Sequence, residues 1–245
     1  MFTDYIDSNA IDDASPAWKH PIHSCQELID CIQQVGFLPL LESGIPGFAA
    51  ECLMAEECRY TQFEDGSWEW PLWRWKGQVV RESDCVYGKF FDGKAGFVSL
   101  EWWPYLCHWR RSISPIPADD SVEALILATL RDNGSMVARE LRAACGLTAK
   151  GMRSRFDAYV TRLQKSCHIV TEDFVYPVDK HGREYGFGWS LLTTPEHLLG
   201  RVACQCDLEP LDTYTRMWEW LSQQLPQATP HQILRLLGFK ETDRL

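Results

Sequence analysis

The stretch SVEALILATLRDNG (121–134), VARELRAACG (137–146), LTAKGMRSRFDAYVTRLQKSCHIV (147–170), TEDFVYPV (171–178) and EYGFGWSLLTT (184–194) decides how this chain is read. The first three runs carry apolar residues at helical spacing, and the last two are rich in aromatic and β-branched residues around the turn-prone DKHGR (179–183). Three helices followed by a β-ribbon are the outline of a winged helix, a helix-turn-helix variant. In the first helix the buried stripe is expected at Val122, Leu125, Ile126, Thr129 and Leu130, with Asn133-Gly134 as its end. Ser135 is expected to cap the second helix, with Val137, Leu141 and Cys145 as its buried stripe. Thr148 is expected to cap the third, whose stripe is Met152, Phe156, Tyr159, Val160 and Leu163.

That third helix is the first candidate site. From Thr148 to Lys165 there are five Lys/Arg and one Asp. A helical wheel puts Lys150, Ser154, Thr161 and Lys165 opposite the apolar stripe, with Arg153, Arg155 and Arg162 on the flanks. A helix in the major groove uses Lys and Arg on phosphates or guanine edges, so Thr148, Lys150, Arg153, Ser154, Arg155, Thr161, Arg162 and Lys165 are candidate DNA contacts. Lys180 and Arg183 join them from the wing. Asp157 shares the face and repels phosphate. A basic helix face also serves solubility alone.

Working outward, the charge is uneven. Of 24 Lys/Arg and 34 Asp/Glu in 245 residues, positions 121–200 hold ten and nine, so the remainder holds 14 and 25. The net charge of −10 excludes a protein that coats nucleic acid with its whole surface. Seven of eleven Trp fall between Trp68 and Trp109. Within TQFEDGSWEWPLWRWKGQVV (61–80) they alternate as Trp68/Trp70 and Trp73/Trp75, split by Pro71, which speaks against one central strand and allows a helix starting at the proline. With Arg74 and Lys76 nearby, Trp68, Trp70, Trp73 and Trp75 are candidates to stack on a base; a Trp-rich core is the commoner use of such clusters. Among the nearby carboxylates Glu69, Asp84, Asp92 and Glu101, Glu69 lies between two Trp and is the candidate catalytic acid.

The remaining chain divides by composition. Ser24 caps a helix ended by Gly36, and FLPLL (37–41) is a short buried run. VYGKFF and AGFVSL form a hairpin about Asp92-Gly93-Lys94, and EWWPYLCHWRR (101–111) is a helix. SISPIPADD (112–120) is a linker. TPEHLLG (194–200), residues 212–224 and PHQILRLLGF (230–239) are further helices. The expected fold class is α+β: a Trp-rich mixed region over 1–115, the winged-helix module over 121–200 and a helical extension over 201–245. The ten Cys include no CxxC pair, and the seven His have no ligand spacing, so no metal or cofactor is expected and the thiols are read as reduced. No apolar run reaches the length of a membrane span and no signal peptide opens the chain, so the expectation is cytoplasmic with no membrane partner; oligomeric state is open.

VGFLPLL (35–41), IPGF (45–48), YGKFFDGKAGFVSLEWWPYL (87–106) and EYGFGWSLLTTPEHLLG (184–200), in that order around the winged-helix pattern, resemble the short bacterial AlkZ-related proteins. These are grouped with the AlkZ/YcaQ winged-helix DNA glycosylases. The resemblance implies tandem winged helices that form a DNA channel and, in the long members, metal-free hydrolysis of the glycosidic bond of alkylated or crosslinked purines. Those members use Gln-x-Gln or Gln-x-Asp early in the chain. Here that region reads Val35-Gly36-Phe37-Leu38-Pro39-Leu40, and Gln205-Cys206-Asp207 matches by letter but lies after the wing, so no catalytic residue is carried over. The expectation is a winged-helix protein that binds double-stranded DNA and is related to repair glycosylases, with chemistry optional. The alternatives are an active DNA glycosylase for alkylated bases and a winged-helix protein-interaction module.

Overall fold

The structure is a computed structural model that describes residues 18–238 apart from Ser43, Phe63, Asp65, Ser67, Pro117 and Arg183. Arg183, the acidic lead-in through Ala17 and the polar tail from Phe239 therefore lie outside the described residues. Helix α1 (Cys25–Val35) starts where the Ser24 hydroxyl accepts a hydrogen bond from the Glu27 amide, and ends at Gly36, φ 79°. The Trp102 indole lies so close over Gly36 that a Cβ there would meet it at 2.4 Å. Strand β1 (Phe37–Pro39) is buried throughout. After α2 (Ala50–Leu53) and a 3-10 turn at Glu56–Cys58, β2 (Thr61–Gln62) pairs with β3 (Trp68–Glu69). Pro71 then opens α3 (Pro71–Glu82), so the aromatic run is strand before the proline and helix after it.

Strands β4 (Cys85–Phe91) and β5 (Lys94–Ser99) form the expected hairpin, with both turn residues at positive φ, Asp92 at 50° and Gly93 at 79°. Helix α4 (Trp103–Ile113) follows. The 121–200 segment is α5 (Val122–Asn133), β6 (Met136–Val137), α6 (Ala138–Ala144), α7 (Met152–Lys165), β7 (Val170–Val175) and β8 (Trp189–Thr193). Helices α8 (Pro195–Leu199), α9 (Pro210–Gln224) and α10 (Pro230–Leu237) complete the chain, α8 and α10 each opened by a threonine cap.

The fold is mixed α and β. One antiparallel sheet, ordered β1-β5-β4-β7-β8-β6, runs through both halves and is joined where Tyr87 of β4 faces Thr171 of β7. Two apolar cores flank it. The larger is built from α1, α3, the β4–β5 hairpin and α4, closed by Met217, Leu221 and Leu225 around α9 and by Ile233, Leu236 and Leu237 of α10. The smaller lies inside the 121–200 segment around Ile126, Leu130, Leu141, Phe156, Leu163 and Leu192. Among the described residues no helix is long and apolar enough to cross a membrane, and no three His, Cys, Asp or Glu converge as a metal-holding group.

Several local expectations need correction. The α5 stripe turns by part of a residue step: Leu127 is buried and Leu125 is 44 % exposed, because α6 and α7 both pack on the Ile126–Leu127 side. Ser135 does not cap α6. Met136 and Val137 are drawn into the sheet opposite Leu192 and Leu191, and Val137 precedes the helix without a side-chain cap. Thr148 does not cap α7 either; Gly151, in the left-handed region, precedes it. Residues 184–188 pair only through the Val178–Glu184 bridge, so the ribbon's tip is a long loop and not strand.

Candidate nucleic-acid interface and aromatic cleft

The basic helix divides into two parts. At its start, Thr148, Lys150, Arg153, Ser154 and Arg155 are exposed. Among the described residues no acidic side chain pairs with Lys150, Arg153 or Arg155, whereas the chain's other ion pairs are built within a few ångströms. The first turn of α7 contains no acidic residue, and no side chain caps its amide end. The Ser154 hydroxyl turns back to the Gly151 carbonyl at 3.4 Å. A helix N-terminus carries about half a positive charge, so these three cations, without acidic partners among the described residues, repel one another and the dipole. That local arrangement is relieved by an anion.

Further along, α7 faces the protein. Arg162 donates to the Glu123 carboxylate of α5 at 2.5 Å. Lys165 reaches Asp92 in the β4–β5 turn at 3.3 Å, and Asp92 also accepts from Arg235 of α10 at 2.8 Å. The Arg235 hydrogen bond, with help from Lys165, holds the Asp92 carboxyl below its usual range. Thr161 accepts from the Lys89 ammonium at 3.2 Å, and the Gln164 side chain accepts the Lys89 amide at 2.9 Å. Thr161, Arg162 and Lys165 are thus occupied by partners inside the chain, while Lys180 is exposed on the ribbon loop.

The Trp-rich segment does form a site, with help from the ribbon. An open cleft of about 490 Å³ lies between Trp68, Glu69, Trp70, Trp73 and Arg74 on one wall and Tyr176, Asp179, Glu184, Tyr185 and Phe187 on the other. Trp70 and Trp73 meet at 4.9 Å between ring centres, and Phe187 stands edge-on to Trp73 at 5.6 Å. Trp68 and Phe187 are each 64 % exposed, an unusual cost for rings that could have been buried. Glu69 forms an ion pair with Arg74, so its carboxylate is occupied. Trp75 is not in the cleft; it packs against the larger core.

Lys76 joins the two walls. It is 3 % exposed, and its ammonium lies 3.3 Å from the Phe174 ring centre, 5.1 Å from Trp73 and 5.7 Å from Tyr176. It donates to the Phe187 carbonyl at 3.2 Å. Burial pushes its pKa down to about 8, partly opposed by Asp173. The Tyr176 hydroxyl donates to the Trp73 carbonyl at 3.2 Å, and Arg81 pairs with Asp173 at 2.7 Å. The ribbon loop is therefore docked on α3, and Lys76, expected from the sequence as a cation beside base-stacking rings, is a buried fastener. Sequence reasoning missed Tyr176, Asp179, Glu184, Tyr185 and Phe187. The every-second-residue spacing of Tyr185, Phe187 and Trp189 is the available signal; it predicts strand, whereas the strand begins only at Trp189.

A family model described as AlkZ related matches residues 22–238. No curated protein and no solved structure matches the chain.

Proposed function

The chain belongs to the AlkZ-related family, and from that membership we propose that it is a winged-helix protein that binds double-stranded DNA, related to DNA-repair glycosylases. Residues 121–200 are read as the winged helix: the order α5, β6, α6, α7, β7, β8, with β6 returning beside β8, supports the assignment. One observation carries the binding reading. Lys150, Arg153 and Arg155 are exposed cations without acidic partners among the described residues, at a helix N-terminus whose own dipole they oppose. Phosphate relieves both repulsions at once. In this reading Thr148 and Ser154 add hydrogen bonds and the exposed Lys180 follows the backbone from the wing; Arg183, which lies outside the described residues, is proposed for the same role from the sequence alone. Thr161, Arg162 and Lys165 serve as internal supports of the helix in this reading. It requires neither metal nor cofactor.

An electrophoretic shift with a short duplex tests it. Binding should weaken steeply with salt, and Lys150→Glu with Arg153→Glu should abolish it for all sequences alike. Absence of binding by the unaltered protein at low salt would overturn the proposal.

A second reading, base excision, is favoured by the cleft. Its rings Trp68, Trp70 and Trp73 offer stacking faces, and carboxylates stand on both walls, Glu69 on one and Glu184 on the other. In hydrolysis of an N-glycosidic bond a carboxylate or amide orients water and stabilises the cationic sugar, and Glu69 is the carboxylate offered for that role here. Release of 7-methylguanine or 3-methyladenine from alkylated duplex, lost in Glu69→Gln, supports it. Intact alkylated DNA under excess protein rejects it.

A further inference from the structure

The rings of the cleft between α3 and the ribbon loop converge as a corner. Trp70 and Trp73 are inclined at 44° to each other, and Phe187 stands at 73° to Trp73. Inclined faces suit a rounded group better than a planar one, which two parallel plates would hold. Trp68, Tyr185 and Phe187 are each more than half exposed, and none of the three holds a cation from among the described residues. The cleft is also acidic. Among its described lining residues Glu69, Asp179 and Glu184 stand against one guanidinium, that of Arg74, which pairs with Glu69. Asp179 accepts the His181 amide at 2.8 Å, and no Lys or Arg among the described residues pairs with the exposed Glu184. Behind the walls the Lys76 ammonium already lies against Trp73 and Tyr176. With its charge counted, three carboxylates still face two cations. Such a field disfavours phosphates and carboxylates and favours a cation.

We propose that this cleft binds a trimethylammonium group. Its volume of about 490 Å³ is that of a small-molecule site, roughly 300–1,000 Å³. A primary ammonium is compact and strongly hydrated, and Lys76 needs the Phe187 carbonyl in place of water. Three methyl groups spread the charge over an apolar surface, so the group sheds water at low cost and packs directly on ring faces. Trp68, Tyr185 and Phe187 supply those faces, and Glu184 supplies the counter-charge from the ribbon wall. The group can be carried by a free solute such as choline or by a trimethylated lysine side chain; the chemistry recognised is the same. The proposal does not rest on DNA binding by α7, and it competes with base excision for the cleft.

The test titrates the full chain by calorimetry with choline, with a short peptide carrying trimethyllysine, and with 3,3-dimethyl-1-butanol, which has the shape of choline without its charge. Choline or the peptide should bind saturably, and whichever binds tighter identifies the source. The neutral isostere should bind at least about tenfold more weakly than choline, the factor that two or three cation–π contacts supply. Trp68→Ala, Phe187→Ala and Glu184→Gln should each weaken binding by about threefold or more. All three side chains are exposed, and Phe187→Ala keeps the carbonyl that holds Lys76, so matching melting temperatures confirm intact folds. No saturable binding of either trimethylammonium probe, equal binding of the neutral isostere, or undiminished binding in all three variants overturns the proposal. Duplex binding and release of alkylated base are separate measurements, so failure here leaves those readings standing.

Discussion

The Lys76 ammonium lies 3.3 Å from the centre of the Phe174 ring, in a box where a lysine would ordinarily lose more by leaving water than it gains. The Phe187 carbonyl and the faces of Trp73 and Tyr176 supply what water is denied. The residue holds the ribbon loop to α3 and thereby forms the cleft.

Its titration should be visible in stability. The folded pKa is about 8 against 10.5 for a free lysine, so between those values the unfolded chain binds the extra proton. Stability then rises with pH across that window, and the burial cost is fully present below it. Relative to Lys76→Met, the unaltered protein should gain about 2 kcal/mol between pH 7.5 and 10, on the order set by the shift. Paired urea melts at the two pH values check this. A difference between the two proteins that does not change with pH would show that Lys76 is not desolvated.

Arg110 should be a principal fastener of the larger core. It is 3 % exposed and donates to three carbonyls, Lys165 at 2.8 Å and Phe90 and Leu236 at 3.0 Å each. These belong to the end of α7, to β4 and to α10. Arg110→Met fills similar space but strands all three acceptors, and should cost about 3 kcal/mol or more. Chemical denaturation reads it directly; a loss below about 1 kcal/mol would mean that water replaces the guanidinium.

Two glycines should respond in opposite directions. At Gly96 of β5 an added Cβ would lie 2.5 Å from both the Leu38 carbonyl oxygen and the Phe91 ring, so Gly96→Ala should destabilise by about 2 kcal/mol. At Gly77, inside α3, the nearest atoms are at an ordinary 3.5 Å, so Gly77→Ala should stabilise by about 0.5–1 kcal/mol through helix propensity. Thermal melts that rank the two variants the other way round would contradict the packing described for the β1–β5 pair.

The two halves of the basic helix should separate in DNA binding. Alanine at Lys150, Arg153 or Arg155 should each lower the slope of log affinity against log salt by about one. Alanine at Arg162 or Lys165 should leave that slope unchanged and cost at most about 1 kcal/mol of stability, because each is an exposed ion pair within the protein. Equal losses of slope from both groups would show that the Glu123 and Asp92 pairs open for phosphate.

Much of the fold was legible because its boundaries are set by neighbours in sequence. Ser24 and Gly36 bracket α1, Asp92-Gly93 turns the hairpin, Pro71 opens α3, and Thr194 and Gly200 bracket α8. Misreadings arose where a distant segment outbid a local rule. Ser135 and Thr148 are sound caps by residue type, yet Met136-Val137 is taken by β8 and Gly151 turns the chain into α7.

The candidate sites show the same division. Residue types and periodicity alone identified a basic α7 with an apolar opposite face, and a cluster of Trp around Glu69. Local propensity and side-chain spacing suffice for that, since they act over a turn or two. Only the tertiary structure decided which cations are paired, because Glu123 and Asp92 reach α7 from 39 and 73 residues away. It also made the Trp segment a cleft: pairing of β7 with β4 carries the ribbon loop onto α3, where Lys76 holds it. Charge neutralisation and burial depend on what folding brings near, which no local reading of a linear chain contains.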